Sequence, residues 1–386
     1  MKISLWQTGA GFYAVFRKWV TEQFHARGHE VVPLPPRGAT HEIGDLIFSM
    51  NFSPDLARLA KAIRKPYVGW VWDALVNHSL LNPAWASDYT ILFEFAPSDR
   101  TRFQKAGYRH AYYLPASTHH GLFPQTPPAK THALAFVGNC YPSATPFKAY
   151  QTHCERLQLA PALGLQALNE FIEETARAPA HRLRDFFVEF MTARHPDFLA
   201  TVPVPDRTVC AAYSEQTLDF FVNTLLYHEV DIRMRSRLLH TLVPLGVEVW
   251  GEFEGWAPHL RAGIRWNPPC DLETDLGTVL ASTRIALNIS RTISDGANMR
   301  SFEIPAAGTF QLALYSDEMA ALFEEGREIV LFRTFEEAHD KAAYYLAHET
   351  ERETIAQAGR RRFLKDHTLA RRFDSMMAAL RGLGIA

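Results

Sequence analysis

One loop gathers most of the residues able to do polar chemistry. Between a strand pattern at 284–289 and a short helix pattern at 301–307 the chain reads Ser290-Arg291-Thr292-Ile293-Ser294-Asp295-Gly296-Ala297-Asn298-Met299-Arg300-Ser301-Phe302-Glu303. Pro305 lacks a backbone N–H and suits a first helical turn, which sets the expected N-cap near Ser301. Arg291 and Arg300 would then flank a helix start whose free N–H groups favour anions. A diphosphate bound there would meet partial positive charge and up to two guanidinium forks. Glu303, one turn in, could accept both hydroxyls of a ribose, and Asn298 adds a polar group to the same loop. Each residue has a plainer reading. A Glu in a first helical turn stabilises the dipole by ~0.3–1 kcal/mol with no ligand, and both arginines could pair with Asp295 as solvated charges. Their joint occurrence on one strand-end loop is what points to anion binding.

Other candidates are more scattered. Trp250 and Gly251 end a strand pattern and could pack against a nucleobase, although Trp is more often core. Gly9 and Gly11 follow the first strand, but the sixth position of a dinucleotide fingerprint is Ala14. Asp73 stops the strand at 67–72 and could touch an acceptor hydroxyl or simply cap a turn. His119 and His120 sit near a domain junction, where a histidine can act as acid or base near neutral pH or stay solvated. The runs Arg360-Arg361-Arg362 and Arg371-Arg372 read as solvated helix faces. Cys140, Cys154, Cys210 and Cys270 form no CxxC pair and have no His at ligand spacing, so neither a zinc site nor a disulfide framework is expected.

These residues need strand ends to hold them. Residues 2–6, 30–32, 45–49, 67–72, 90–93 and 110–114 read as strands, separated by helix patterns at 12–24, 53–64 and 98–106. Such alternation predicts a parallel sheet covered on both faces. Pro115, Pro124, Pro127 and Pro128 then break regular structure. A second domain begins at the strand 133–138, is interrupted by a helical stretch at about 146–244, and resumes with a strand at 247–251. Further strands are expected near 284–289, 309–314 and 328–332. Helices are expected near 272–281, 301–307, 317–324, 334–347, 349–365 and 368–383.

Composition narrows the function classes. With 386 residues, 47% hydrophobic and 12% aromatic, the chain is long enough for two cores and is not disordered. Forty Lys and Arg against 42 Asp and Glu give a formal charge of −2, too balanced for a global field drawing in nucleic acid or an anionic membrane. No apolar run reaches the ~18 residues of a membrane span, and the opening apolar run is too short for a signal peptide, so a cytoplasmic protein is expected.

The stretch from Arg284 to about Phe373 resembles the C-terminal half of the group 1 glycosyltransferases, most closely their CgeB-like (spore maturation protein-like) branch. The resemblance is carried by Leu287-Asn288-Ile289-Ser290 and Arg300-Ser301-Phe302-Glu303-Ile304-Pro305-Ala306-Ala307-Gly308. Glu328-Ile329-Val330, Phe335-Glu336-Glu337-Ala338, Tyr344-Tyr345-Leu346, Ala358-Gly359 and His367-Thr368 follow in order. Phe136-Val137-Gly138 and Trp70-Val71-Trp72-Asp73 extend it toward the N-terminus. The resemblance implies an α/β GT-B fold: two Rossmann-like domains with parallel sheets facing across a cleft. Residues 1–130 would form the acceptor side and 131–366 the nucleotide-sugar side with its helical insertion, while 367–386 would return to the first domain. It also implies that Glu303 is the second carboxylate of a Glu-x7-Glu motif and holds the donor ribose. The first, sugar-contacting position is Asp295, a departure from the pattern.

The expected activity is therefore transfer of a sugar from a nucleotide-diphosphate donor to an acceptor hydroxyl. Arg291, Asn298, Arg300, Glu303, Trp250, Gly251, Gly9 and Gly11 are placed on the donor, and Asp295 and Asp73 in catalysis. His119 and His120 stand on the acceptor side. No metal or other cofactor is expected, since arginines and a helix start take the metal's place, and the resemblance implies retention at the anomeric carbon. The partners are a nucleotide sugar and a glycan, protein or small-molecule acceptor that the sequence does not identify. The rival reading is a non-catalytic sugar-nucleotide or glycan-binding protein on the same scaffold. An NAD(P)-linked oxidoreductase would need a complete G-x-G-x-x-G, which follows neither domain's first strand.

Overall fold

The computed structural model describes residues 1–6, 11–36, 39–74, 78–140, 165–177, 183–197, 222, 227–290, 292 and 294–385. They fall into two compact units. One takes its described residues from Met1–His119 and His367–Ala386, the other from those between His120 and Asp366.

In the first unit the chain runs β1 (Lys2–Trp6), α1 (Phe12–His25), β2 (Glu30–Pro33), β3 (Leu46–Met50), α2 (Pro54–Ile63), β4 (Tyr67–Val71), β5 (Thr90–Glu94), α3 (Pro97–Lys105) and β6 (His110–Tyr113). All pairings are parallel and the order is β2-β1-β3-β4-β5-β6, so the order reverses between β1 and β3. Strands β3, β4 and β5 are buried along their whole length, as expected of a sheet covered on both faces. Helix α1 lays Phe16, Trp19, Val20 and Phe24 on one face and ends before Gly28, whose φ of 75° suits the left-handed residue after a helix. Ser53 caps α2, accepting from the Leu56 N–H at 3.4 Å, with Pro54 in the first turn.

The second unit opens with β7 (His132–Val137) and continues through α4 (Leu165–Arg177), α5 (Leu183–Arg194), α6 (Tyr227–Leu242), β8 (Val247–Trp250), α7 (Phe253–Trp256), β9 (Arg265–Asn267), α8 (Leu276–Ala281) and β10 (Thr283–Asn288). Then come α9 (Arg300–Ala306), β11 (Phe310–Leu314), α10 (Asp317–Leu322), β12 (Val330–Phe332), α11 (Phe335–Ala347) and α12 (Glu349–Arg362). Its sheet is also six-stranded and parallel, in the order β12-β11-β10-β7-β8-β9, with the reversal between β7 and β10. One face carries Leu134, Phe136, Val249, Ile285, Leu287 and Leu312 into a core shared with α4, α5, α6 and α11.

The closing helix, α13 (Leu369–Gly382), belongs to the first unit. Its Phe373 ring meets Phe24, Phe48 and Trp70, and Asp374 accepts from Arg27 at 2.7 Å.

Several expected elements shift. Strand β9 was not anticipated, because three edge residues carry no readable period. The helix expected at 272–281 begins only at Leu276, since the Asp271 carboxylate takes the Glu273 and Thr274 N–H groups and holds a turn there. The strand expected at 328–332 begins at Val330. The helix expected at 349–365 ends at Arg362 and gives way to a π-turn over Phe363–His367. Of the helical stretch expected at about 146–244, residues 146–164, 178–182, 198–221 and 223–226 lie outside the described residues, and with them Cys154 and Cys210. Cys140 and Cys270 are free thiols. No helix among the described residues is long and apolar enough to cross a membrane.

Candidate functional site

Ligands of open parallel sheets lie outside the carboxyl ends of the strands, where the strand order reverses. In the second unit this point is bounded by the turn after β7 and the loop after β10. That loop is organised by a closed ring of hydrogen bonds. Asn288 Nδ2 donates to Ser301 Oγ at 3.0 Å, Ser301 Oγ donates to Asn298 Oδ1 at 3.1 Å, and Asn298 Nδ2 donates back to Asn288 Oδ1 at 2.9 Å. Asn298 Oδ1 also accepts the Ser301 N–H at 3.0 Å, and Nδ2 reaches the Ile289 carbonyl at 3.3 Å.

This corrects the expected cap. Asn298, not Ser301, accepts at the helix start, taking the Ser301 N–H on Oδ1, because the helix begins at Arg300 and Ser301 already lies within it. Ser301 is fully buried inside the helix, with its hydroxyl consumed by the ring. Pro305 consequently sits near the end of α9 rather than in its first turn.

Arg300 and Glu303 face each other one turn apart, with Nη1 donating to Oε2 at 2.6 Å. The Glu303 side chain is 3% exposed and that of Arg300 21%. Burial holds the Glu303 carboxyl above its ordinary range, and the guanidinium opposes that shift. Arg300 Nε is buried without a partner, so the guanidinium keeps an N–H unspent. Asp295 lies half-buried on the loop, beside the turn in which the Gly296 N–H donates to Ser294 Oγ at 3.1 Å. Arg291 lies outside the described residues.

The turn after β7 is locked to the turn after β8. Gly251 leaves no room for a side chain, since a Cβ there would stand 2.5 Å from the Gly138 carbonyl and 2.6 Å from Trp256 Nε1. Trp256 Nε1 uses that space to donate to the Gly138 carbonyl at 2.9 Å. Asn139 Oδ1 accepts the Glu252 N–H at 3.0 Å, and its carbonyl accepts from Arg235 Nη1. Trp250 is 7% exposed, its ring edge-on to His132 at 5.0 Å.

Helix α6 supplies residues that sequence reasoning missed. Buried Asp231 accepts from Thr292 twice, from its N–H at 3.1 Å and its hydroxyl at 2.8 Å, tying the loop after β10 to the helix. Asp231 lies within a helical pattern with no local motif, and its partner is 61 residues away. Only the pairing of a buried acid with a loop hydroxyl identifies it.

In the first unit the reversal lies between β1 and β3. Gly9 is outside the described residues. Gly11 precedes α1 with φ 60° and ψ −132°, a conformation that glycine adopts readily. Beyond β3, Asn51 takes φ 60° and links two strand ends: Oδ1 accepts the Trp72 N–H at 2.9 Å and Nδ2 donates to Asp73 Oδ2 at 2.7 Å. Exposed Asp73 is thus held across the strands. Trp70, Trp72, Phe12 and Phe16 form an aromatic wall beneath it. His119 stacks on Trp19 and approaches Glu22 at 3.4 Å, whereas His120 opens a 3-10 turn in the other unit.

Residues 233–378 match the family described as glycosyl transferase-like. No curated protein matches the chain in sequence. Among solved structures, HepE of Anabaena in complex with UDP and glucose is similar with a TM-score of 0.55 and 11% identity, over 98% of this chain and 99% of that one. A glycosyltransferase of Rickettsia africae gives 0.54 at 10% identity, over 98% and 97% of the two chains. Sucrose-phosphate synthase of Thermosynechococcus elongatus gives 0.52 at 12% identity, over 99% of both chains. At such identities the likeness is one of fold, and the chain has the GT-B fold built from two parallel six-stranded sheets.

Proposed function

We propose that the protein is a nucleotide-sugar-dependent glycosyltransferase of the CgeB-like branch, moving a sugar from a nucleotide-diphosphate donor to an acceptor hydroxyl. The observation that carries this reading is the pairing of Arg300 with buried Glu303, at the start of the helix that follows β10 and within the stretch that matches the glycosyl transferase-like family. HepE, of the same fold, is seen with UDP-glucose, which makes UDP-sugars the first donors to test.

In this reading residues 131–366 hold the donor and 1–130 the acceptor. Glu303 accepts the ribose hydroxyls. Arg300, fixed by Glu303, turns its open Nε and remaining N–H groups to the diphosphate, to which Arg291 is also assigned. As the bond from the anomeric carbon to the diphosphate oxygen breaks, negative charge grows on the leaving group, and the Arg300 guanidinium, already in place, stabilises it without reorganising. Asn298 keeps the loop in shape, Gly251 bounds it on the β8 side, and Trp250 seats Gly251. Asp295 contacts the donor sugar. Gly9 and Gly11 are assigned to the donor, while Asp73, with His119 and His120, serves the acceptor hydroxyl. The arginines are assigned the work that a metal does elsewhere, and retention is the assigned stereochemistry.

A thermal-shift screen against UDP-, GDP-, ADP-, dTDP- and CMP-sugars, followed by turnover of a mass-shifted donor, tests the proposal. Stabilisation by one sugar nucleotide with transfer is the expected result. Binding without transfer or hydrolysis would favour the non-catalytic reading, to which the shortened carboxylate of Asp295 points. No response across the panel would reject both.

A further inference from the structure

A cavity of about 330 Å³ opens between the turn that follows α1 and the closing helix α13, lined by Arg27, His29, Asp374, Met377 and Arg381. All of these residues belong to the first unit, and none of them is assigned above to donor or acceptor. The volume falls within the range of small-ligand sites. His29 directly precedes Glu30, which opens β2 beside Lys2 of β1. The cavity therefore stands at the amino ends of the strands, opposite the rim that carries Asp73. Its lining is basic, and the donors are not all spent. Asp374 is the single acid, and Arg27 Nη2 takes it at 2.7 Å. The same guanidinium donates to the Ala370 carbonyl at 2.8 Å and to Gln23 at 2.9 and 3.0 Å, and lies over the Phe373 ring at 5.6 Å. These contacts fix Arg27 and leave its Nε open. The Arg381 side chain makes no hydrogen bond or ion pair among the described residues, so its whole fork of N–H groups is available. His29 Nδ1 accepts from the Met1 nitrogen at 3.4 Å, which puts the ring proton on Nε2 and makes the ring a donor even when neutral. Buried Met377 gives the cavity an apolar side.

We propose that this cavity is a second ligand site, separate from the donor and acceptor sites, that takes a small phosphate monoester on Arg381, His29 and Arg27. Asp374 is already neutralised by Arg27, so Arg381 leaves the cavity with an uncompensated positive charge. A phosphate suits the lining better than a carboxylate. Donors on three residues call for three oxygens, whereas a carboxylate has two and the Arg381 fork alone takes both. The carbon body of the ester lies along Met377. Held in this way, the phosphate joins α13 to the turn before β2, and its binding free energy adds to the stability of the folded first unit.

The test is calorimetric titration of the full chain with inorganic phosphate, without and with saturating UDP. Wild type should bind phosphate and go on binding it when UDP is present. Arg381→Gln should bind it about tenfold more weakly, through the loss of charge-assisted hydrogen bonds. Arg381 is exposed, so its replacement leaves the core untouched. Acetate, with fewer oxygens to offer, should bind wild type about tenfold more weakly than phosphate does. A wild type that binds no phosphate, or phosphate binding abolished by UDP, overturns the site. Equal phosphate affinity in Arg381→Gln and wild type overturns it as well, whether or not the donor reading stands. Equal affinity for acetate and phosphate overturns the choice of a phosphate monoester.

Discussion

At the carboxyl rim of the second sheet, polar groups are bound to one another before any ligand arrives: Asn288, Ser301 and Asn298 close a ring, Arg300 grips Glu303, and Asp231 holds Thr292. Among the described residues at the rim of the first sheet, aromatic rings do most of the lining. Asp73 is held by one bond from Asn51 above Trp70 and Trp72. Behind it, on β5, Glu94 is fully buried with neither carboxyl oxygen partnered. A prearranged polar lattice suits a ligand whose charges are always in the same place, as a nucleoside diphosphate's are. An aromatic wall with one fixed carboxylate suits a ligand that varies in outline and offers a hydroxyl. In the proposed reading, the same topology serves a fixed partner in one unit and an exchangeable one in the other.

The largest effect should come from breaking the lattice where it meets the donor. Glu303→Ala is expected to weaken UDP binding by ~2–4 kcal/mol, through lost charge-assisted hydrogen bonds and the release of Arg300 from its fixed position. Calorimetry decides it, and an unaltered affinity would leave Glu303 as a partner of Arg300 alone. The corresponding change in the first unit, Asp73→Asn, should leave UDP affinity untouched and act only on transfer to the acceptor.

Next is the ring itself. Asn298→Ala removes the cap of α9 and strands Asn288 Oδ1, so urea unfolding should show a loss of ~1–2 kcal/mol. Asn298→Asp keeps the accepting oxygen but not the Nδ2 donor, and should fall between the two. If the aspartate variant matched alanine, the bonds to Asn288 and Ile289 would be the important ones, and the cap secondary.

The two rims also differ in how much of them could be read beforehand. Arg300, Glu303 and Asn298 lie within six residues of each other after a strand pattern, so sequence alone placed them together. The cap was misplaced because Ser301 and Asn298 are both capping types, and local sequence does not say which side chain ends up buried. Asp231 and Asn51 escaped because their roles depend on partners set by strand order. The alternation of strands and helices announced both sheets, yet β9 escaped it as a three-residue edge. Trp250 was readable as the last residue of a strand, whereas the direction of its ring was not.

Glu94 offers a smaller, pH-dependent contrast. Complete burial, with Asp99 nearby, holds its carboxyl well above the ordinary value of 4.5. The folded state therefore retains a proton that the unfolded chain releases above about 4.5, and stability falls as pH rises from there toward the folded value. Glu94→Gln carries no such penalty. Its melting temperature should match wild type near pH 4 and exceed it at pH 8, by roughly 1 °C for each kcal/mol in a chain of this length. A gap that closed as pH rose would show that Glu94 is ionised and paired in the folded protein.

The smallest expected effect on binding tests the edge of the lattice. Trp250 could be a base platform or simply part of the sheet's covering. Its 7% exposure and edge-on contact with His132, which also shares the Glu248 carboxylate, favour covering. Trp250→Phe should therefore lower stability by about 0.5–1.5 kcal/mol, the usual worth of an aromatic pair, while UDP affinity stays within about twofold. Stacking on a base would reverse the ranking, with a roughly tenfold loss of UDP affinity and little change in melting. Measuring both on one variant separates a residue that seats Gly251 from one that touches the ligand.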